Sequence, residues 1–330
     1  MPYTNTLISD LVPSEKGLRP TVDFRIAAKN EFLNAGVMQS STALQSLAGA
    51  GPRKFTIQYL NALAADEVNV ASDDLNQDGK NGSRTAGEFD AVKHVLNYAW
   101  GVTDLEKMVV GDDSMADIGN GIGEYWAKII KDMAVETLVG VRNATGTNLV
   151  QATAAAVTAD NLLGAAIDAQ AAKGERGPDM MDTLVVSPAM YAMLRNAQGN
   201  AFIAKQATNI NFDTYAGFKL VVSSRVADLS ATGFQNAILI GQGALSYAVG
   251  NGPVPEEIER LANKGNGEGG DLLHSRRNVI IHPQGFGYTG SVLSGVYKAG
   301  LSTALKAAGS WALEVPKEDV AVSFLRFTVA

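Results

Sequence analysis

The sequence contains no cysteine in its 330 residues. This absence excludes disulfides, thiolate zinc sites, iron–sulfur clusters and cysteine nucleophiles. It also favours folding in a reducing compartment. Aromatic residues are scarce at 7%, which argues weakly against a deep pocket lined by aromatic anchors.

Long apolar runs and blocks of like charge are also missing. No window approaches the roughly 20 consecutive apolar residues that span a bilayer, and the start, MPYTNTLISDLVPSEKG, lacks the basic and apolar regions of a signal peptide. The formal net charge is -7, whereas a nucleic-acid-binding domain would cluster Lys and Arg against phosphate. Hydrophobic residues make up 46%, so we expect a globular chain with no membrane contact.

One polar stretch, DLNQDGKNG from Asp74, opens like a calcium-binding loop. Asp74, Asn76 and Asp78 fit the first three ligand positions of such a loop, and Gly79 fits its turn position. The twelfth position, which needs a bidentate Glu, is Thr85. Because Asp, Asn and Gly also form ordinary turns, we predict a polar turn with no metal, and calcium binding stays as an alternative.

Other candidate motifs for chemistry are incomplete. GQGALS, starting at Gly241, follows a strand but lacks the third glycine of a dinucleotide loop, so it is interpreted as a tight turn between strands. His94, His274 and His282 show no metal-ligand spacing, and no G-x-S-x-G elbow occurs. We therefore predict no catalytic residue, no cofactor and no enzymatic activity.

The first half of the chain predicts a long hairpin followed by a long helix. In KFTIQYL, the side chains of Phe55, Ile57 and Tyr59 alternate onto one face of a strand. A polar run follows, and an extended return is expected through Val92 to Trp100. We interpret this segment as a two-stranded excursion with a polar tip.

The long helix is predicted from Ser114 to Val141 because apolar residues recur there at three- and four-residue spacing. Asp112 and Asp113 are interpreted as caps for its amino end. Tyr125 and Trp126 fall on the apolar stripe, so they are expected to pack in the core or at an interface rather than stack on a ligand.

The second half alternates helix with strand. The segments TLVV, GFKLVVSS and NAILIG predict buried strands, and Ser187 followed by Pro188 predicts a helix start. LANKGNGEGGDLL is expected to be a loop, and VAVSFLRFTV a terminal strand. This part of the chain therefore has α/β character.

The order of arm, hairpin, long helix, α/β unit and closing strands resembles the major capsid protein family of tailed bacteriophages, the Hong Kong ninety-seven fold. NEFLNAGVMQSS is similar to the family's entry into its extended E-loop, and FTIQYLNALAADEVNVASDD to the outgoing strand of that loop. AWGVTDLEKMVVGDDSMADIGNGIGEYWAK, the most specific piece, resembles the strand and turn that lead into the family's spine helix. TLVVSPAMYAML, YAGFKLVVSS and AILIGQGALSY resemble strands and turns of its axial domain.

This resemblance implies an α+β capsid fold divided along the chain. The implied parts are an amino-terminal arm (1–50), an E-loop hairpin (51–102), the spine helix of the peripheral domain (103–145), an α/β axial domain (146–262) and closing strands of both domains (263–330). The implied function is self-assembly into pentamers and hexamers of an icosahedral virion capsid around double-stranded DNA, which it binds without sequence specificity. Scaffolding, portal and decoration proteins are implied partners, and the host cytoplasm is the implied site of assembly.

Subunit contacts are expected where apolar or polar side chains project from the hairpin and the long helix. The candidates on the predicted hairpin are Phe55, Ile57, Tyr59, Asp74, Asn76, Asp78 and Lys80, and those on the predicted long helix are Tyr125 and Trp126. Two other functions remain open: an encapsulin-like nanocompartment shell, which the resemblance in fold also allows, and a calcium-binding or nucleotide-using enzyme.

Overall fold

Two β-sheets, a separate hairpin and one long helix dominate the chain. The computed structural model describes residues 31–61, 63, 68–71, 73–74, 76–110, 114–146, 149–197, 202–203, 213–229, 234–250, 252–292 and 295–328. Within these ranges the helices are α1 (Glu31–Asn34), α2 (Thr42–Gly49), α3 (Asp104–Val110), α4 (Ser114–Thr145), α5 (Ala159–Ala171), α6 (Gly177–Met180), α7 (Pro188–Asn196) and α8 (Leu301–Lys306). The strands are β1 (Met38–Gln39), β2 (Lys54–Leu60), β3 (Ala86–Val92), β4 (His94–Thr103), β5 (Val150–Ala156), β6 (Thr183–Val186), β7 (Phe202–Ile203), β8 (Thr214–Tyr215), β9 (Phe218–Val222), β10 (Phe234–Ile240), β11 (Leu245–Gly250), β12 (Glu256–Arg260), β13 (Gly270–Pro283), β14 (Phe286–Tyr288), β15 (Trp311–Leu313) and β16 (Val322–Thr328). The mixture confirms the α+β class.

The first sheet has five strands and is centred on β13. β4 runs antiparallel along one side of β13, β11 and β12 follow one another along its other side, and β1 pairs with β11 in parallel. Trp100 on β4 lies opposite Leu273 on β13, and both pack against α4. The amino-terminal half of α4 therefore covers one face of this sheet.

The hairpin is formed by β2 and β3, from Lys54 opposite Val92 to Leu60 opposite Ala86. Most of the stretch from Val92 to Trp100 is extended, as expected, but it is not the return strand of the hairpin, because that strand is β3 and ends at Val92. The next strand, β4, leaves the hairpin and pairs with β13. An alternating pattern marks a strand with one buried face, but it does not identify the partner strand.

The second sheet has seven strands in the order β5-β16-β10-β6-β9-β8-β7. Successive side chains on its central strands point to opposite faces. Val185 and Ile238 pack in the cluster that contains α4, whereas Leu184 and Leu239 pack in the cluster that contains α5 and α7. The sheet is therefore sandwiched between α4 and the α5–α7 pair. The predicted terminal strand is β16, which lies between the edge strand β5 and β10.

The long helix α4 extends over 32 residues, about 48 Å at 1.5 Å per residue. It runs through the glycines at 119–123 and continues beyond the predicted end at Val141. The carboxyl-terminal half packs against both sheets. At Gly140 a Cβ would overlap the Leu305 carbonyl oxygen and the Trp311 indole, so glycine lets α8 and β15 lie directly on the helix. The expected caps, Asp112 and Asp113, lie outside the described residues.

Short turns join the strands of the two sheets. The segment that starts at Gly241 links β10 to β11 and is followed by a strand, which confirms the predicted tight turn. The glycine-rich segment between β12 and β13 is an ordered turn in which Asn266 has φ 59°. None of the helices in the described ranges is long and apolar enough to cross a membrane.

Candidate assembly surface

The base of the hairpin packs on its own chain. As predicted, Phe55, Ile57 and Tyr59 share the more buried face of β2. Phe55 is buried in a cluster with Leu44 of α2, and the Tyr59 hydroxyl donates a 3.0 Å hydrogen bond to the Glu314 carbonyl oxygen. Phe55 is therefore covered within its own chain, whereas Ile57 and Tyr59 remain half-exposed. The role of these three residues as subunit contacts stays a prediction.

The other strand of the hairpin rests on a buried histidine. The Phe89 ring stacks on the His282 ring with centroids 5.0 Å apart and an interplanar angle of 7°. Burial lowers the pKa of His282 to about 4. Burial, with the nearby Arg53 charge, also lowers the pKa of His94 to about 4. Both imidazoles are therefore neutral at neutral pH, whereas His274 lies at the surface with its Nε2 2.9 Å from the Glu259 carboxylate.

Beyond the paired strands, the hairpin exposes aliphatic side chains. We call the described residues among 60–70 the distal segment. Its aliphatic side chains are Leu60 (59% exposed), Leu63 (70%), Val68 (88%) and Val70 (90%). Isolated apolar residues on a surface are ordinary, but four exposed aliphatic residues within one short stretch of chain are typical of a contact surface. The sequence analysis missed this row, although four aliphatic residues next to a long polar run were a usable signal.

The calcium-like stretch forms a hydrogen-bonded turn. The Asp74 Oδ1 accepts hydrogen bonds from the backbone and side-chain N–H groups of Asn76, at 3.0 and 3.1 Å. Asn69 closes the tip, because its side chain donates to the Lys80 carbonyl oxygen at 2.8 Å and accepts from the Lys80 N–H at 3.0 Å. Within the described ranges, no group of three or more His, Asp or Glu side chains is placed to hold a metal.

The aromatic pair of α4 belongs to an aromatic cluster on the five-stranded sheet. Tyr125 stacks on Tyr98 at 5.4 Å and meets Trp100 edge-on at 5.0 Å. The buried Trp126 donates its indole N–H to the Ser275 hydroxyl at 2.9 Å. Trp126 therefore packs in the core, which is one of the two positions expected for it, and Tyr125 stays half-exposed. Their role as subunit contacts stays a prediction.

A buried carboxylate, Glu136, connects α4 to the carboxyl-terminal part of the chain. It accepts 2.6 Å hydrogen bonds from the hydroxyls of Tyr297 and Ser302. The side-chain nitrogens of Arg225 and Lys306 lie 3.6 and 3.5 Å from it. Burial and the Glu136 carboxylate raise the pKa of Tyr297, so the phenol stays protonated as the donor.

A family model described as phage capsid protein matches residues 97–296, more than half of the chain. The chain belongs to the phage capsid protein family. A similar curated protein is the major capsid protein of Bacillus phage SPP1, 28% identical over 305 residues that cover 89% of this chain and 90% of that protein. This capsid protein is thus a virion component, whose family builds structures from associated copies.

Solved capsids share the fold of this capsid protein. The capsid of Ralstonia phage GP4 superposes with a TM-score of 0.59 at 10% identity, covering 89% of this chain and 87% of that one. The Cyanophage Pam1 capsid asymmetric unit gives 0.57 at 10% identity and 100% coverage of both chains. The mature capsid of bacteriophage PhiM1 gives 0.52 at 14% identity, covering 89% and 86%. These similarities confirm the predicted Hong Kong ninety-seven fold.

The predicted contact residues of this capsid protein differ in how exposed their side chains are. Asp74, Asn76, Asp78 and Lys80 are exposed at the hairpin tip. Their role as subunit contacts stays a prediction.

Proposed function

We propose that many copies of this capsid protein form the pentamers and hexamers of an icosahedral phage head that encloses double-stranded DNA. The observation that carries the proposal is the distal segment, whose aliphatic side chains are 59–90% exposed. Another molecule that covers such a row stabilises the complex by about 1.5–3 kcal/mol for each fully buried side chain. In a shell made of one protein, that molecule is a neighbouring copy.

In this assembly the hairpin contacts the neighbouring subunit. Its base is held to the body by packing and by the Tyr59 hydrogen bond, while the distal segment and the tip project from it. A fixed base with an exposed end is suited to contact with a neighbouring subunit. Under this proposal residues 51–102 include the E-loop, 103–145 the spine helix, 146–262 the axial domain, and the arm and closing strands complete the unit.

The packaged DNA is enclosed rather than recognised. The net charge of -7 gives the chain little attraction for phosphate, since DNA binding draws its affinity from Lys and Arg contacts. We propose a structural, non-enzymatic role, assembly in the host cytoplasm, and scaffolding, portal and decoration proteins as partners. The family match favours a phage head over an encapsulin-like nanocompartment.

The proposal is tested by producing the protein with and without its scaffolding partner and viewing the products by negative-stain electron microscopy. We expect closed shells or capsomers from the wild type. The variant that combines Val68→Asp and Val70→Asp should lose them while remaining folded, because two charges replace the contact surface. Ile167→Asp on α5, which also changes an exposed aliphatic residue, is the matched control and should assemble. Equal assembly of the double variant and the control would contradict a role for the distal segment.

A further inference from the structure

Lys173, which follows the carboxyl end of α5, is a buried lysine. It is 6% exposed, and its Nζ donates a hydrogen bond to the Lys317 carbonyl oxygen. Burial lowers the pKa of Lys173 to about 8. A large share of this amine is therefore neutral near pH 8, where a lysine with the ordinary pKa of about 10.4 is almost entirely protonated.

The charged groups around Lys173 do not cancel the effect of burial. Burial has the largest effect on its pKa, and the carboxylates of Glu318 and Asp319 oppose that effect. The Lys317 charge lowers the pKa further, and Asp319 is itself paired with Arg176. The neutral amine carries a lone pair, so Lys173 is a nucleophile at a pH where exposed lysines are not.

A small cavity lies beside Lys173. Its volume is about 70 Å³, a little over twice the roughly 30 Å³ that a water molecule occupies in the liquid. The polar residues that line it together with Lys173 are Gln151 on β5, Ser323 on β16 and Lys317, which precedes β16. A cavity of this size admits a reactant of a few heavy atoms and excludes bulky acyl donors.

We propose that Lys173 is a site of reversible carbamate formation, at which dissolved carbon dioxide adds to the side-chain amine. The Nζ lone pair forms a bond to the carbon atom, and one C–O π bond breaks as its electron pair moves to that oxygen. The nitrogen then releases one proton to water, which leaves a carbamate with one negative charge. Carbon dioxide is small and neutral, so it enters a buried cavity without the desolvation cost that bicarbonate would carry.

The surroundings of Lys173 suit the carbamate as well as the amine. The carbamate nitrogen keeps one N–H, which continues to donate to the Lys317 carbonyl oxygen. The new carboxylate is an anion and needs hydrogen-bond donors where it is buried. Gln151, Lys317 and Ser323, which line the cavity, carry an amide, an ammonium and a hydroxyl donor.

The proposal is tested on the unassembled wild-type chain in ¹³C-labelled bicarbonate near pH 8. Triethyloxonium ion converts each carbamate into a stable ester, and mass spectrometry of the digested chain locates it. The α-amino group, with a pKa of about 7.7–8.0, is the positive reference. Lys128, exposed on α4, is the reference for an ordinary lysine. We expect the ester on Lys173 at an occupancy at least about ten-fold above that on Lys128, because much more of the Lys173 amine is neutral.

Two controls separate the site from general lysine chemistry. Lys173→Arg should remove the Lys173 carbamate from the ¹³C spectrum and leave that of the α-amino group, whereas Lys128→Arg should leave both. Unfolding the wild type in guanidinium chloride needs no substitution. It should reduce the occupancy of Lys173 to that of Lys128, because burial of the amine is lost.

The absence of a carbamate on Lys173 in the folded wild type would overturn the inference. Equal occupancy of Lys173 and Lys128 in the folded chain would overturn it as well, because the environment of Lys173 would then confer nothing. The inference goes beyond the proposed function, and none of these measurements involves assembly. Either result therefore leaves the proposed assembly into a phage head unaffected.

Discussion

At the scale of single residues, the stability of this capsid protein depends on polar groups buried beside α4. Glu136 accepts from two hydroxyls and lies near two cations. Removing this carboxylate takes the acceptor from two hydroxyl groups and a negative charge from beside two cations.

Glu136→Ala is therefore expected to lower the free energy of unfolding by about 3 kcal/mol. Urea unfolding of the unassembled chain measures this difference. Glu124→Ala, at an exposed position of the same helix, is the control and should change stability by less than about 0.5 kcal/mol. Equal effects of the two substitutions would show that the Glu136 network does not stabilise the fold.

The two buried histidines give the fold a pH dependence. His94 and His282 have pKa values lowered to about 4 by burial, below the value of about 6.5 expected in the unfolded chain. As the pH falls from about 6.5 toward 4, the unfolded chain binds protons that the folded chain does not. The stabilisation that the two neutral imidazoles contribute is therefore complete above about pH 6.5, and it is lost as the pH falls toward 4.

Each histidine should contribute a slope of about 1.4 kcal/mol per pH unit between these values. Replacing both by glutamine should flatten the dependence of the free energy of unfolding on pH in that interval. Asn97→Gln, at an exposed position of β4 with no titratable side chain, is the control and should preserve the slope. An unchanged slope in the double variant would contradict the neutral state of the buried rings.

The sequence singled out the histidines and Trp126, but it did not predict the contacts that they make in the fold. The three histidines lacked metal-ligand spacing, but burial of two of them depends on packing between distant segments. Trp126 was placed on the apolar stripe correctly, yet its bond to Ser275 joins residues far apart in the chain. Roles of this kind depend on contacts between distant parts of the chain, and the spacing of apolar residues in the sequence does not reveal such contacts.

At the scale of elements, the sequence predicted the long helix and the buried strands of the second sheet. Their signals are local, because apolar spacing and caps lie within each element. The pairing of β4 with β13 was missed, since the partner follows more than a hundred residues later. The distal segment was missed because the sequence does not show that strand pairing in the hairpin ends at Leu60. Only the structure shows that the aliphatic residues beyond this point are exposed.

The junction of α4 with α8 and β15 tests the packing of these elements. Gly140→Ala should destabilise the chain by about 1–3 kcal/mol, because the added methyl group overlaps the Leu305 carbonyl and the Trp311 indole. Gly123→Ala is the matched control, since a Cβ there meets no atom within 4 Å. That change should instead stabilise the helix by up to about 1 kcal/mol. Thermal unfolding of both variants measures the difference, and shifts of the same sign would contradict the close approach at Gly140.

At the scale of the whole molecule, the chain combines a folded body with a hairpin whose end is uncovered. The body has one core between α4 and the two sheets, and a second core between the seven-stranded sheet and the α5–α7 pair. The aliphatic side chains of the distal segment stay exposed on a single copy. This combination fits the proposal that a neighbouring copy covers the exposed aliphatic side chains.

Sedimentation velocity of the purified protein, with and without its scaffolding partner, tests this account most directly. We predict discrete fast-sedimenting species with the mass of capsomers or closed shells, reduced to monomer by the paired Val68→Asp and Val70→Asp substitutions. A wild-type protein that sediments only as a monomer under both conditions would contradict the account.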